Sequence, residues 1–101
     1  MKYEYHNNKV TNEFCASVFV FGSNLAGIHG AGAAAWAVEN RDAKYGVGLG
    51  LTGNAYALPT KDYGIQTLPL DAIEFFVKGF LTVAKREDRT FFVTAVGCGL
   101  A

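Results

Sequence analysis

The chain is poor in the residues that build covalent or charge-driven functions. Only two cysteines, Cys15 and Cys98, stand among its 101 residues, too few for the disulfide framework of a small secreted domain. The start, MKYEYHNNKV, holds no apolar export segment, and no stretch approaches the length needed to span a membrane. A cytoplasmic protein without a membrane partner is therefore expected. Lys plus Arg and Asp plus Glu number 9 each, so the formal net charge is zero. These charges are scattered, and without a basic stripe no nucleic-acid partner is expected. Low-complexity segments and interdomain linkers are also missing, so residues 1–101 read as one domain.

Apolar residues and glycine are what the chain has in quantity. Hydrophobic residues make up 50% of the sequence, which marks a globular chain able to bury a core. The 12 glycines cluster at 22–32, 46–53 and 97–99, with Gly64 and Gly79 alone. Glycine gathered in this way marks loops of special backbone geometry.

Between those loops lie regular elements. SVFVF (17–21) is a continuous apolar run ended by Gly22, as in a strand buried on both faces. GAGAAAWAVEN (30–40) reads as a helix whose alanines permit close packing on a sheet. NAYALP (54–59) is a second strand, ending in the polar turn TKDYG. From 71 to 86, Ile73, Phe76, Val77, Phe80 and Ala84 recur at helical spacing. Asp71 with Glu74 offers a capping box there, and Glu74 with Lys78 a pair one turn apart. TFFVTAV (90–96) is the third strand, and KYEY near the start adds an edge strand. Strand and helix alternate, which predicts parallel strands joined by crossovers, with ligands bound beyond their carboxyl ends.

Two glycine clusters fall at such ends. FGSNLAGIHGAGAA (21–34) leaves a strand and opens a helix, so its backbone N–H groups and the helix dipole converge on one place. That geometry favours an anion, typically phosphate. Gly22, Ser23, Asn24, His29, Gly30, Ala31 and Gly32 are its ligand-binding candidates, and a tight strand-to-helix turn is the plain alternative. No Gly-Lys-Ser/Thr follows, which removes a nucleoside triphosphatase loop. Asn24 suits a ribose hydroxyl or its own turn, and His29 a phosphate, a proton transfer or bare solvent. The other such cluster, VGCGLA (96–101), brings Gly97, Cys98, Gly99 and Leu100. Lys61 and Asp62 follow the second strand, either as a solvated pair or with Lys61 meeting phosphate or attacking a sugar carbon. GLGLTG (48–53) matches a dinucleotide fingerprint but leads into a strand, so it reads as a flexible connection. No metal site and no cofactor are expected.

Together NLAGIHGAGAA, YALPTKD and VGCGLA resemble the macro-domain family, over about residues 17–101. The resemblance is to the branch that removes terminal ADP-ribose from proteins and to small phage and bacterial macro-like proteins. It implies a three-layer α/β/α fold with a small, mainly parallel sheet, here lacking the family's carboxyl-terminal helix. Either the chain continues past Ala101, or a partner subunit covers the sheet and a homo-oligomer forms. The resemblance further implies ADP-ribose as ligand. Asn24 falls on the distal ribose, Gly30 and Gly32 on the diphosphate or ribose, and Gly97 to Gly99 on phosphate. Lys61 falls where the glycohydrolase branch holds its attacking lysine. Ala101, however, stands where that branch has a catalytic aspartate, leaving Asp62 as the substitute acid. Binding is thus the first expectation, hydrolysis or deacylation through Lys61 the second, and a ligand-free structural or interaction protein the third.

Overall fold

A computed structural model describes residues 2–5, 17–87 and 89–94. Its elements run β1 (Lys2–Tyr5), β2 (Val18–Asn24), α1 (Gly32–Asn40), β3 (Gly50–Thr52), β4 (Ala55–Lys61), α2 (Leu70–Arg86) and β5 (Thr90–Val93). The five strands form one mixed sheet in the order β1-β5-β2-β4-β3. Parallel pairing joins β1 to β5, β5 to β2 and β2 to β4, while β3 alone runs antiparallel, against β4. The chain is thus an α/β protein, and the expected edge strand at KYEY is β1.

β2 is the centre, and its sequence follows from that position. β4 pairs with it along one edge and β5 with Val18–Val20 along the other, and two apolar clusters cover its two faces, so Val18, Phe19, Val20 and Phe21 are all fully buried. Phe19 and Phe21 pack with Ala34 and Ala37 of α1 and with Ala55 and Ala57 of β4. Val18 and Val20 pack on the other side with Tyr56, Leu58 and Phe91, under Phe80 and Ala84 of α2. Alternate residues of one strand therefore serve two helices, the period-2 geometry of a pleated strand. The alanines of α1 let it lie close, with Trp36 set over Phe19 at a ring distance of 4.8 Å. Phe80 meets Tyr56 at 5.0 Å and Phe91 at 5.7 Å, both edge to face. Burial there pushes the Tyr56 phenol above its ordinary pKa.

Four expectations need correction. Residues 50–52 form β3 rather than part of a flexible connection. The first helix starts at Gly32, since Gly32 itself has φ +61°, a left-handed value that interrupts any earlier helical turn. β4 runs past Pro59 to Lys61. Its proline is tolerated because β3 stops opposite Ala57, so the far edge of β4 needs no N–H at Pro59. The capping box at the start of α2 is not formed. Pro69 is the N-cap, and Asp71 accepts from the adjacent Ala72 N–H at 3.0 Å instead. The Glu74–Lys78 pair is present at 3.1 Å. Among the described residues no helix is long and apolar enough to cross a membrane.

Candidate functional site

The loops that leave β2 and β4 diverge. After β2 the chain enters α1, on the Phe19 face; after the adjacent β4 it enters α2, on the Val18 face. Two neighbouring parallel strands whose connections part to opposite faces leave a crevice beyond their carboxyl ends. Asn24 and Lys61 are register partners at that point, after a bulge between Ser23 and Asn24 that skips Thr60 in the register. The Leu25 N–H donates to the Lys61 carbonyl at 2.9 Å, closing the base of the crevice.

The loop above it is tied down by its own side chains. Asn24 is fully buried. Its Nδ2 donates to the Ile28 carbonyl at 2.9 Å, and its Oδ1 accepts the Ile28 N–H at 3.0 Å. Of the two roles open to Asn24, holding its own turn is the one its amide fills. Replacing it with alanine strands both Ile28 groups, and Asn24→Ala should lower stability by about 1–2 kcal/mol. Urea denaturation measures that loss, and a midpoint equal to that of the unmodified protein would remove the clasp from the account.

A second layer of backbone packs on this loop. An ideal Cβ on Gly27 would lie 2.2 Å from the Gly46 carbonyl carbon, and one on Gly48 would lie 2.1 Å from the Asn24 carbonyl oxygen. Only glycine permits backbones to meet so closely. The Gly46 N–H donates to the Gly27 carbonyl at 2.7 Å, and the Ser23 hydroxyl donates to the Gly48 carbonyl. Segment 44–49 is therefore part of the site's wall, and its Gly48 and Leu49 belong to GLGLTG (48–53), which the sequence had placed in a flexible connection. Its signal was visible as the second glycine cluster.

His29 is buried, 3% exposed, and does not face solvent. Its Nε2 lies 2.9 Å from the Val47 carbonyl oxygen. A carbonyl only accepts, so Nε2 carries the hydrogen. Nδ1 is buried without a partner. The ring stands edge-on to Phe21 at 5.2 Å and to Tyr45 at 5.9 Å. The Nε2 donor is thereby used within the protein and is not offered to a phosphate.

What remains open is the start of α1. Gly30, Ala31 and Gly32 are exposed, and a Cβ on Gly30 would meet nothing within 4 Å. The N-cap, Ala31, supplies no side-chain hydrogen bond, and the first turn has no acidic residue. The first N–H groups of α1 thus have no side-chain acceptor at the cap, and the helix dipole adds positive potential there.

The other candidates divide. Gly22 and Ser23 lie within β2, with Ser23 buried. Lys61 is half-buried at the end of β4. Asp62 closes its own turn, its Oδ1 accepting from the Gly64 N–H at 2.8 Å and the Gln66 N–H at 3.0 Å. Gly97, Cys98, Gly99 and Leu100 lie outside the described residues, as does Cys15. β5 lies beside β2, and just past its end the Thr94 N–H donates to the Val20 carbonyl at 3.1 Å. Among the described residues no group of three His, Cys, Asp or Glu gathers as a metal centre would. No protein-family profile, curated protein or solved structure matches the chain.

Proposed function

We propose that this chain binds ADP-ribose or a related nucleotide diphosphate, on a three-layer macro-like arrangement of its α/β fold. The observation that carries this reading is an exposed helix start without a side-chain cap on the connection that leaves β2, whose last residue, Asn24, is the register partner of Lys61 at the end of β4. Fixed amide dipoles suit a diphosphate, since they need no reorganisation when the anion arrives. In this reading Gly30, Ala31 and Gly32 offer backbone N–H groups, and Gly97, Cys98, Gly99 and Leu100 form the second phosphate loop. β2 and β5 pair in parallel, which supports two neighbouring loops. Asn24 shapes the first loop, and the ribose contact that the resemblance implies would require its amide to leave Ile28.

Binding without efficient turnover fits the residues better than hydrolysis. Ala101 replaces the branch's aspartate. Asp62, the substitute, already accepts two turn N–H groups. Lys61 then meets the ligand as a cation. Calorimetric titration with ADP-ribose, NAD and cyclic nucleotides tests the reading, and saturable heat with ADP-ribose is the expected result. Lys61→Ala should weaken that binding about fivefold, more at low salt, in keeping with a partly solvated charge contact. Silence with every nucleotide would reject the ligand reading. Borohydride trapping of an ADP-ribose adduct that vanishes in Lys61→Ala would restore the hydrolase.

The exposed side chains Tyr63, Leu70 and Phe75, each more than 70% accessible, favour a second reading, in which the chain associates with itself or another protein. Sedimentation equilibrium separates the two, because a ligand-binding monomer excludes obligate association.

A further inference from the structure

One side chain of the loop that opens α1 links it to the segment following α1. His29 belongs to the first glycine loop, and its Nε2–H reaches the Val47 carbonyl at 2.9 Å, in the second. Around this bond the two segments lie backbone to backbone, with Gly46 donating to Gly27 at 2.7 Å. Phe21 below and Tyr45 beside the ring hold it edge-on. His29 is followed directly by Gly30, Ala31 and Gly32, whose N–H groups are the proposed anion contacts.

From this geometry we infer that His29 is a positioning residue for the anion site, acting through Val47 and not by touching the ligand. The affinity part of this inference rests on the proposed ligand reading; the structural part does not. The ring acts as a single-donor pin. Nε2–H is committed to Val47, while Nδ1 is buried without a partner on a ring flanked by Phe21 and Tyr45. A phosphate oxygen is itself an acceptor and gains nothing from Nδ1. The contribution of His29 to an anion site is therefore to hold the following three residues at a fixed height above β2. Loop segments of this kind have the lowest local stability, so removing one pin frees them first.

The test compares His29→Leu, which fills the space without a donor, with His29→Gln, whose side-chain amide can donate as Nε2 does. In the ligand-free protein, exchange of the Gly46 and Ile28 amides should speed by about tenfold in the leucine variant and stay within about threefold in the glutamine variant. ADP-ribose affinity should follow the same order, about tenfold weaker with leucine and near that of the unmodified protein with glutamine. Nitrogen NMR of the ring should show a protonated Nε2 and an unprotonated Nδ1. Leucine exchanging like histidine, glutamine exchanging like leucine, or a proton on Nδ1 alone would each overturn the inference. Should the leucine variant fail to fold, protection kept in His29→Gln together with the ring spectrum supports the pin, and protection lost there rejects it. If ADP-ribose fails to bind the unmodified protein while the exchange pattern holds, the pin stands and the ligand reading falls.

Discussion

Gly48→Ala should lower the melting temperature by about 10–20 °C, which corresponds to a loss on the order of 2–3 kcal/mol in a domain of this size. The new Cβ would stand 2.1 Å from the Asn24 carbonyl oxygen and 3.0 Å from the Leu25 carbonyl carbon. Both are backbone atoms of a loop already tied to Ile28 and Lys61, so neither can swing aside as a side chain would. Segment 44–49 must lift away instead, taking with it the Ser23–Gly48 and His29–Val47 hydrogen bonds. Loss of those bonds adds desolvated, unpaired groups to the steric cost. Gly30→Ala is the matched control, because its Cβ would meet nothing within 4 Å. Melting curves followed by circular dichroism decide the matter. Equal melting temperatures for the two variants would mean that the loops are not docked as described.

Phe19→Ala should be the most damaging single truncation in the core, at about 3–5 kcal/mol. Phe19 is fully buried in the central strand and carries Trp36 of α1 at a ring distance of 4.8 Å. Helix α1 is short, with the flanking anchors Ala34 and Ala37 contributing small side chains. Removing the phenyl ring therefore leaves a cavity that alanines cannot fill, and weakens the hold of the helix whose start forms the proposed site. Phe75, 71% exposed on α2, supplies the comparison. Its replacement by alanine should change stability by about 0.5 kcal/mol or less. Chemical denaturation measures both losses, and a Phe19→Ala loss below about 1 kcal/mol would contradict the packing of α1 on β2.

Much of the architecture was legible in the chain because it is written at short range. A run such as SVFVF has no polar face, so it needs cover on both sides, and β2 has it. The helical spacing of Ile73, Phe76, Val77, Phe80 and Ala84 turned α2 toward the sheet, with Phe80 and Ala84 buried. Glu74 and Lys78 lie one turn apart wherever a helix forms, so their pair needed no tertiary information. The position of the first glycine loop between a strand and a helix was equally local, and with it the idea of an anion at the start of α1.

Other features were decided only as the chain folded, some within a single turn or hairpin and some where distant segments met. Nothing in GLGLTG announces β3, since three residues with one apolar side chain become a strand only when β4 offers an edge to pair with. Asp71 and Glu74 have the residue types of a capping box, but Pro69 holds the N-cap and the box has no place to form. Asp62 looked like a spare carboxylate until the 62–66 turn folded back and used it. His29 is the sharpest case. A histidine among glycines has every local reason to face water, and it is buried because Gly27, Gly46 and Gly48 let two loops close over it. Local sequence determined both helices and every strand but β3, and suggested the start of α1 as a place for an anion. Tertiary contact alone decided the order of the parallel strands, the docking of the 44–49 segment and the burial of His29, because each depends on backbones meeting across more than fifteen residues of chain.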